Sequence, residues 1–454
     1  MFWFMAMPLA LLVVLFFFFS LDKLILAIVF LTPFTFKIGD ESLGFTVNMP
    51  TEPLVVAIMG LFFLKLIYEQ KYDKAIVRHP ITIVLIFHLL WMFITSVTSE
   101  IPLVSFKYFI SYLWFVITFY FVTIQLFKKK ENIRLFLWLF GGSLAAIIIY
   151  ISIHHGMYNF DRRIGTWIVR PFFNDHTQYS AVIALIAPVF IVMAFFKGYS
   201  VLRRRVALII FAIFVMGVVF SYSRASWLSM SIAFASFWIL VLKINYKFIF
   251  ASLILLVGVL FLFQDDIIMQ LERNRQDSSG DFREHVQSIS NITSDASNLE
   301  RINRWRSAYR MYQERPILGW GPGTYQFIYA PFQLSIDETI ITTNFGDLGN
   351  AHSEYLGPLS ESGLPGMLFF MILAVFVIVR GIKNFKNASL KEHRWLSLGI
   401  TLSFIAYFTH GFLNNFLDTD KVSVLFWGFI AILVAIDIFH TRQQPDIEKE
   451  SKSE

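Results

Sequence analysis

Arg224 stands in the segment SYSRASWLS, between two apolar runs that almost no loop separates. An ionisable side chain at a membrane boundary is costly to bury and is by default a functional candidate, facing a polar cavity or an anionic ligand. The alternative is an arginine that snorkels to lipid headgroups. A second such residue, His352, opens HSEYLGPLSESGLPG, where the chain turns back into an apolar stretch. A neutral imidazole can take a proton from a hydroxyl, although a plain interfacial hydrogen bond is an equal reading of one histidine. Gly357, Gly363 and Gly366 follow it, and glycine permits close helix packing or the approach of backbone to a ligand. From Gln264 to His352 the chain holds eight Arg, twelve Asp or Glu and no Lys. Arginine to the exclusion of lysine points to planar, bidentate contacts with an anion. For Arg273, Arg275, Arg283, Arg310 and Arg315, pairing with the segment's own acids is the simpler expectation.

The elements that must position these residues are membrane helices. The 454 residues are 56% hydrophobic and 15% charged, against about 25% charged in a soluble domain. Apolar runs fall near residues 2–19, 24–36, 53–68, 80–98, 103–127, 133–153, 180–196, 206–222, 225–242, 248–263, 365–382, 395–412 and 424–440. They predict an all-α polytopic membrane protein with twelve or thirteen spans, the doubt arising where Asp22 and Lys23 interrupt the first 36 residues. A soluble enzyme, a nucleic-acid binder and a disordered scaffold are excluded as main readings. The first twenty residues lack a basic leader and a small-residue cleavage site and read as a retained membrane segment. The absence of cysteine removes disulfides, thiolate nucleophiles and cysteine-bound zinc.

Basic clusters at Lys71–Arg78, Lys128–Arg134, Lys197–Arg205, Lys243–Lys247 and Arg380–Arg394 occupy alternate connections, which the positive-inside rule assigns to the cytoplasm. The long connection Gln264–His352 then faces outward. Four parts follow: residues 1–263 and 353–440 in the membrane, the loop 264–352 between them, and a cytoplasmic tail at 441–454. Within the loop, Asp277–Asn298 reads as connection and Glu300–Tyr312 as a helix with Ile302, Trp305, Ala308, Tyr309 and Tyr312 on one face. Pro316 ends that helix, and GWGPGTY reads as a tight turn.

Arg224 to Leu228 has the form Arg, three residues, Leu; His352 to Gly366 has the form His, Ser, nine residues, Gly, two residues, Gly. Both resemble the paired signatures of the bacterial O-antigen ligase and O-antigen polymerase superfamily, in the same order about a large periplasmic loop. Arg301, Trp305, Pro316 and GWGPGTY look like the family's loop segment. RRIGTWIVRPFFNDHTQYSA, from Arg162, is similar to its upstream outer segment, with IVRP as an apparent insertion.

The resemblance implies a glycosyltransferase of the bacterial inner membrane with its active site on the periplasmic face. It would move a glycan from an undecaprenyl-diphosphate-linked donor to a hydroxyl of lipid A core or another glycan acceptor. Arg224 and Arg301 would stabilise the leaving diphosphate, and His352 would act as general base, with inversion and no metal or other cofactor. Arg163 and Arg170 of the upstream segment, Arg304 of the loop helix, and Gly363 and Gly366 are the expected substrate-binding residues. A polymerase or a protein O-oligosaccharyltransferase of the same superfamily fits as well. The acidic pairs Asp40 with Glu41 and Asp265 with Asp266 could hold a divalent cation, but neither comes with a second ligand cluster. A transporter of lipid-linked sugars is the reading from another class; it would normally show internal repeats, and none is visible.

Overall fold

The computed structural model describes residues 20–40, 45–244, 258, 296–338, 342 and 349–441. The apolar run 2–19, the run 248–263 apart from residue 258, Glu41, Asp265, Asp266, Arg273, Arg275, Arg283, most of the connection 277–298 and the tail from 442 lie outside those residues.

The chain is a mostly helical, multi-pass membrane protein. Its elements run α1 (residues 20–31), β1 (Phe36–Asp40), β2 (Phe45–Met49), α2 (Thr51–Glu69), α3 (Pro80–Val97), α4 (Pro102–Leu126), α5 (Lys130–Gly156) and α6 (His176–Phe195). There follow α7 (Val201–Phe220), α8 (Arg224–Val241), α9 (Ala296–Glu314), α10 (Leu356–Asn387), α11 (Lys391–His410) and α12 (Asp420–His440). Eight of these, α2 to α6, α8, α10 and α12, are long and apolar enough to cross a membrane. The charged first turns of α7, with Arg203–Arg205, and of α11, with Lys391–Arg394, lower the hydropathy of two further long helices.

One element departs from the all-helical expectation. The run read as 24–36 stops being α-helical at residue 31, and β1 and β2 pair antiparallel from Phe36 opposite Met49 to Asp40 opposite Phe45. This ribbon is tied to the bundle at its root. Lys421 Nζ donates to the Thr35 carbonyl (3.2 Å) and hydroxyl (2.6 Å) and lies 3.5 Å from Asp420, all three side chains being buried.

Helix α6 is the central post, with nearly every side chain from Gln178 to Ala194 buried. Apolar side chains gain little by leaving lipid for a helix interface, so close backbone approach matters more here than in water. Gly399 of α11 provides it: a methyl group there would stand 3.0 Å from the Val189 Cα of α6.

The bundle has two chemically distinct ends. At one, Arg134 and Tyr199 share Glu392, His79 and Arg380 meet Asp437 at 3.2 and 2.7 Å, and Lys128 reaches Asp73 at 3.4 Å. The clusters Lys71–Arg78, Lys128–Arg134, Lys197–Arg205 and Arg380–Arg394 gather there, as their alternation predicts, while most of Lys243–Lys247 lies outside the described residues. At the other end sit α9 and the segment leading to α10. The lack of native cysteine makes sidedness directly testable. Exposed Tyr309 and Lys197 lie at opposite ends, so Tyr309→Cys should react with an impermeant maleimide in intact inner-membrane spheroplasts and Lys197→Cys only after permeabilisation. The reverse pattern would invert the orientation.

Candidate active site

The loop end is built from two helix N-termini. Asp175 caps α6, its Oδ1 accepting from the backbone of Thr177 (2.7 Å) and Gln178 (2.8 Å), which leaves His176 in the first turn. Between α7 and α8 the chain reverses within three residues. Tyr222 adopts a left-handed conformation (φ 53°), its hydroxyl donates to the Phe160 carbonyl (2.7 Å), and the Ser223 N–H is held by Ser221 (3.2 Å). That reversal fixes Arg224 as the first residue of α8. The Ser226 hydroxyl then donates to Ser180 (2.7 Å), pinning the start of α8 to the start of α6. Two positive helix ends therefore face the same region, an arrangement that favours an anion.

Arg301, on α9, is the electrostatic hub. It acts on Arg224, His176, His352 and His410, with Asp175 as the opposing carboxylate. Burial pushes its guanidinium pKa down while Asp175 pulls it up. The other arginine acting on Arg224 is Arg162. Arg163, its neighbour, is exposed, and exposed Arg170 donates to the Asn174 carbonyl (3.3 Å).

His352 is held in a left-handed conformation (φ 47°) that few non-glycine residues adopt. Its N–H donates to the Asn350 side chain (3.0 Å), and its carbonyl accepts from Trp305 Nε1 (3.4 Å). Ser353 accepts from Tyr355 N and Leu356 N, both at 3.3 Å, to start α10. Strain fixed by this many partners is a common feature of functional residues. Burial first, and then the charges of Arg301 and Arg304, lower the imidazole pKa to about 4. His352 is thus neutral at physiological pH, with its titration displaced well below the usual histidine range.

Glu354 anchors the same segment. Its carboxylate accepts from the Tyr407 hydroxyl (2.5 Å) and from the N–H groups of Phe416 (2.8 Å) and Leu417 (2.9 Å), and its own N–H donates to the Gly411 carbonyl (2.8 Å). Burial pushes its pKa up to about 7, against the pull of those hydrogen bonds.

Arg304 is enclosed in the loop. It pairs with Glu300 (2.7 Å) and lies over the Tyr329 ring at 4.4 Å, while its carbonyl accepts from Tyr325 (2.8 Å). The buried stripe of α9 is Glu300, Asn303, Arg304, Ser307, Ala308 and Met311, whereas Tyr309 is exposed. The helix is as expected, but its inward face is the more polar one, because it meets a paired and hydrogen-bonded interior. Of the other loop arginines, Arg306 and Arg310 share Asp337, and Arg315 reaches outside the loop to Glu100 at 2.7 Å.

Gly363 and Gly366 explain the spacing of the histidine signature. α10 breaks at Gly363 (φ 68°, ψ −173°), and Pro365 has no N–H to return to Glu361. The carbonyls of Ser360, Glu361 and Ser362 accept instead from Trp320 N (3.1 Å), Gly321 N (2.7 Å) and Trp91 Nε1 (2.8 Å), while Leu364 N donates to Pro316 O (2.9 Å). The GWGPG turn is thereby docked onto the break. A Cβ at Gly363 would fall 2.0 Å from the Ile317 oxygen, and one at Gly366 2.4 Å from the Ser362 Cβ. Gly363→Ala should therefore cost more than the about 1 to 3 kcal/mol of backbone strain alone. The expected readout is a clearly lower thermal midpoint of the purified protein, together with lost activity; an unchanged midpoint would contradict this docking role.

Hydropathy gave no reason to single out Arg162, His176 or His410. The readable signals were the likeness of the segment from Arg162, which contains His176, to the family's upstream outer segment, an N-cap pattern at Asp175, and the parity that puts the end of α11 level with His352. Among the described residues, no three His, Asp or Glu side chains are grouped as metal ligands.

Residues 207–371 match a family model described as O-Antigen ligase. The match spans Arg224, Arg301, His352, Gly363 and Gly366 and supports the superfamily resemblance carried by the two signatures, with ligase- or polymerase-type glycosyl transfer as the activity it points to. Arg162, His176 and His410 lie outside the matched residues. No curated protein matches the chain.

Proposed function

We propose, with an O-antigen ligase family domain across residues 207–371 as the premise, that this protein transfers a glycan from undecaprenyl diphosphate to an acceptor hydroxyl at the periplasmic face of the inner membrane. The acceptor is a sugar of lipid A core. One observation carries the reading: Arg162 and Arg301 both act on Arg224 and His176, at the N-termini of α8 and α6, and Arg301 also acts on the neutral imidazole of His352.

In this mechanism the diphosphate lies against the arginines and the two helix ends. The acceptor oxygen attacks the anomeric carbon and its proton passes to His352. The bond from that carbon to the diphosphate oxygen breaks, and the electron pair leaves on the diphosphate. Attack opposite the leaving group inverts the anomeric centre. Positive charge already in place needs no rearrangement as the leaving charge develops, which is why such groups accelerate the step. No metal takes part, so a chelator should leave the rate unchanged. A transporter of lipid-linked sugars would also need a cationic site but would have no use for a neutral base, and His352 supports the enzyme.

Gel profiling of surface glycans in a deletion strain tests the acceptor. Loss of all attached long chains, with carrier-linked polymer retained, is expected of a ligase. Single repeat units attached to core would make the protein a polymerase.

A further inference from the structure

The turn from His410 to Asn415 carries three polar atoms that no described residue answers. His410 is 1% exposed and Asn414 3%. His410 Nε2, Asn414 Nδ2 and Asn415 Oδ1 are buried with no hydrogen-bond partner among the described residues. Buried polar groups are nearly always paired, so three orphans within six residues call for a ligand.

Looseness of the turn does not account for them. Leu413 N and Asn414 N donate to the His410 carbonyl (3.0 and 3.2 Å), Gly411 N donates to Tyr407 O (2.7 Å), and Phe416 N and Leu417 N donate to Glu354. The same Glu354 lies two residues after His352, and Arg301 and Asp175 act on His410. A rigid, uncharged polar wall therefore stands beside the cationic centre. Its three free atoms include an amide donor and an amide acceptor as well as an imidazole nitrogen. A phosphate oxygen can only accept, whereas each sugar hydroxyl both donates and accepts, which is the chemistry a mixed donor and acceptor set matches.

We propose that His410, Asn414 and Asn415 form a subsite for hydroxyls of the sugar joined to the carrier diphosphate. The proposal rests on the reading of a diphosphate-linked glycan as donor. It adds residues outside the matched family segment and separates sugar recognition from the arginines that meet charge.

The test uses full-length protein in lipid nanodiscs and two probes: bare undecaprenyl diphosphate, and the carrier-linked glycan extracted from a deletion strain. Wild type is expected to bind the glycan-bearing carrier at least about tenfold more tightly, the scale of one or two hydrogen bonds. The variant Asn414→Ala with Asn415→Ala, and separately His410→Gln, should lose that difference while keeping the affinity for bare carrier, which also reports that they are folded. If alanine lowers affinity for both probes, Asn414→Ser with Asn415→Ser repeats the comparison. Retained preference for the glycan in the variants, or an equal loss for both probes in the serine variant, overturns the subsite. Wild type that binds neither probe overturns the donor reading itself.

Discussion

His352→Ala is expected to lose about 100- to 10,000-fold in transfer rate, the range that a positioned general base contributes. The variant should still bind the lipid diphosphate, because the arginines are untouched. His352→Gln keeps part of the hydrogen bonding but no useful basicity and should fail almost as badly. A purely structural histidine predicts the opposite order, with glutamine largely active. The pH dependence adds a second signature. Burial and Arg301 hold the imidazole at about 4 in the free protein, so the basic form is gained as pH rises through about 4. The value of kcat/KM, which reports the free enzyme, should therefore rise through that region and be level at neutral pH. A bound diphosphate places negative charge beside Arg301 and opposes its effect on the imidazole. The corresponding limb in kcat should then lie at higher pH. Transfer rates of purified variants across pH check both statements.

Arg224→Ala and Arg301→Ala should each cost about 100- to 1,000-fold, or about 3 to 4 kcal/mol, the usual loss for one donor at a developing charge. Membrane levels should stay near normal, since the turn that opens α8 is also held by hydrogen bonds of Ser221, Tyr222 and Ser226 that both substitutions leave in place. Lysine should restore only part of the rate at either position, because a point charge cannot offer the planar fork of a guanidinium. Full activity in both alanine variants, measured with lipid-linked donor, would remove the arginine clamp from the mechanism.

The membrane helices were legible because apolar length is a local property: the runs 53–68, 80–98 and 103–127 became Thr51–Glu69, Pro80–Val97 and Pro102–Leu126. Rotation about a helix axis was not. In α9 the conspicuous apolar and aromatic residues suggested one face, while the buried face is set by partners far along the chain, such as Gln333 for Asn303 and Tyr329 for Arg304. The run 365–382 likewise understated α10, which begins at Leu356 and includes the break at Gly363. The spacing of His352, Gly363 and Gly366 was visible as a pattern, but its cause was not, since the GWGPG turn that fills the break lies forty residues earlier. For Arg162 and His176 the sequence carried only the likeness of their segment to the family's upstream outer segment, and for His410 a residue type that could do chemistry and no sign of convergence. That convergence depends on which ends of α6, α8 and α11 meet.

Release of undecaprenyl diphosphate by the purified protein in nanodiscs is the most direct measurement of the central claim. With the carrier-linked glycan and a lipid A core acceptor supplied together, the account predicts one released diphosphate for each glycan joined to the acceptor, no release from His352→Gln, and no effect of a chelator. Passage of intact carrier-linked glycan across the bilayer of a proteoliposome, with no diphosphate released, would contradict it.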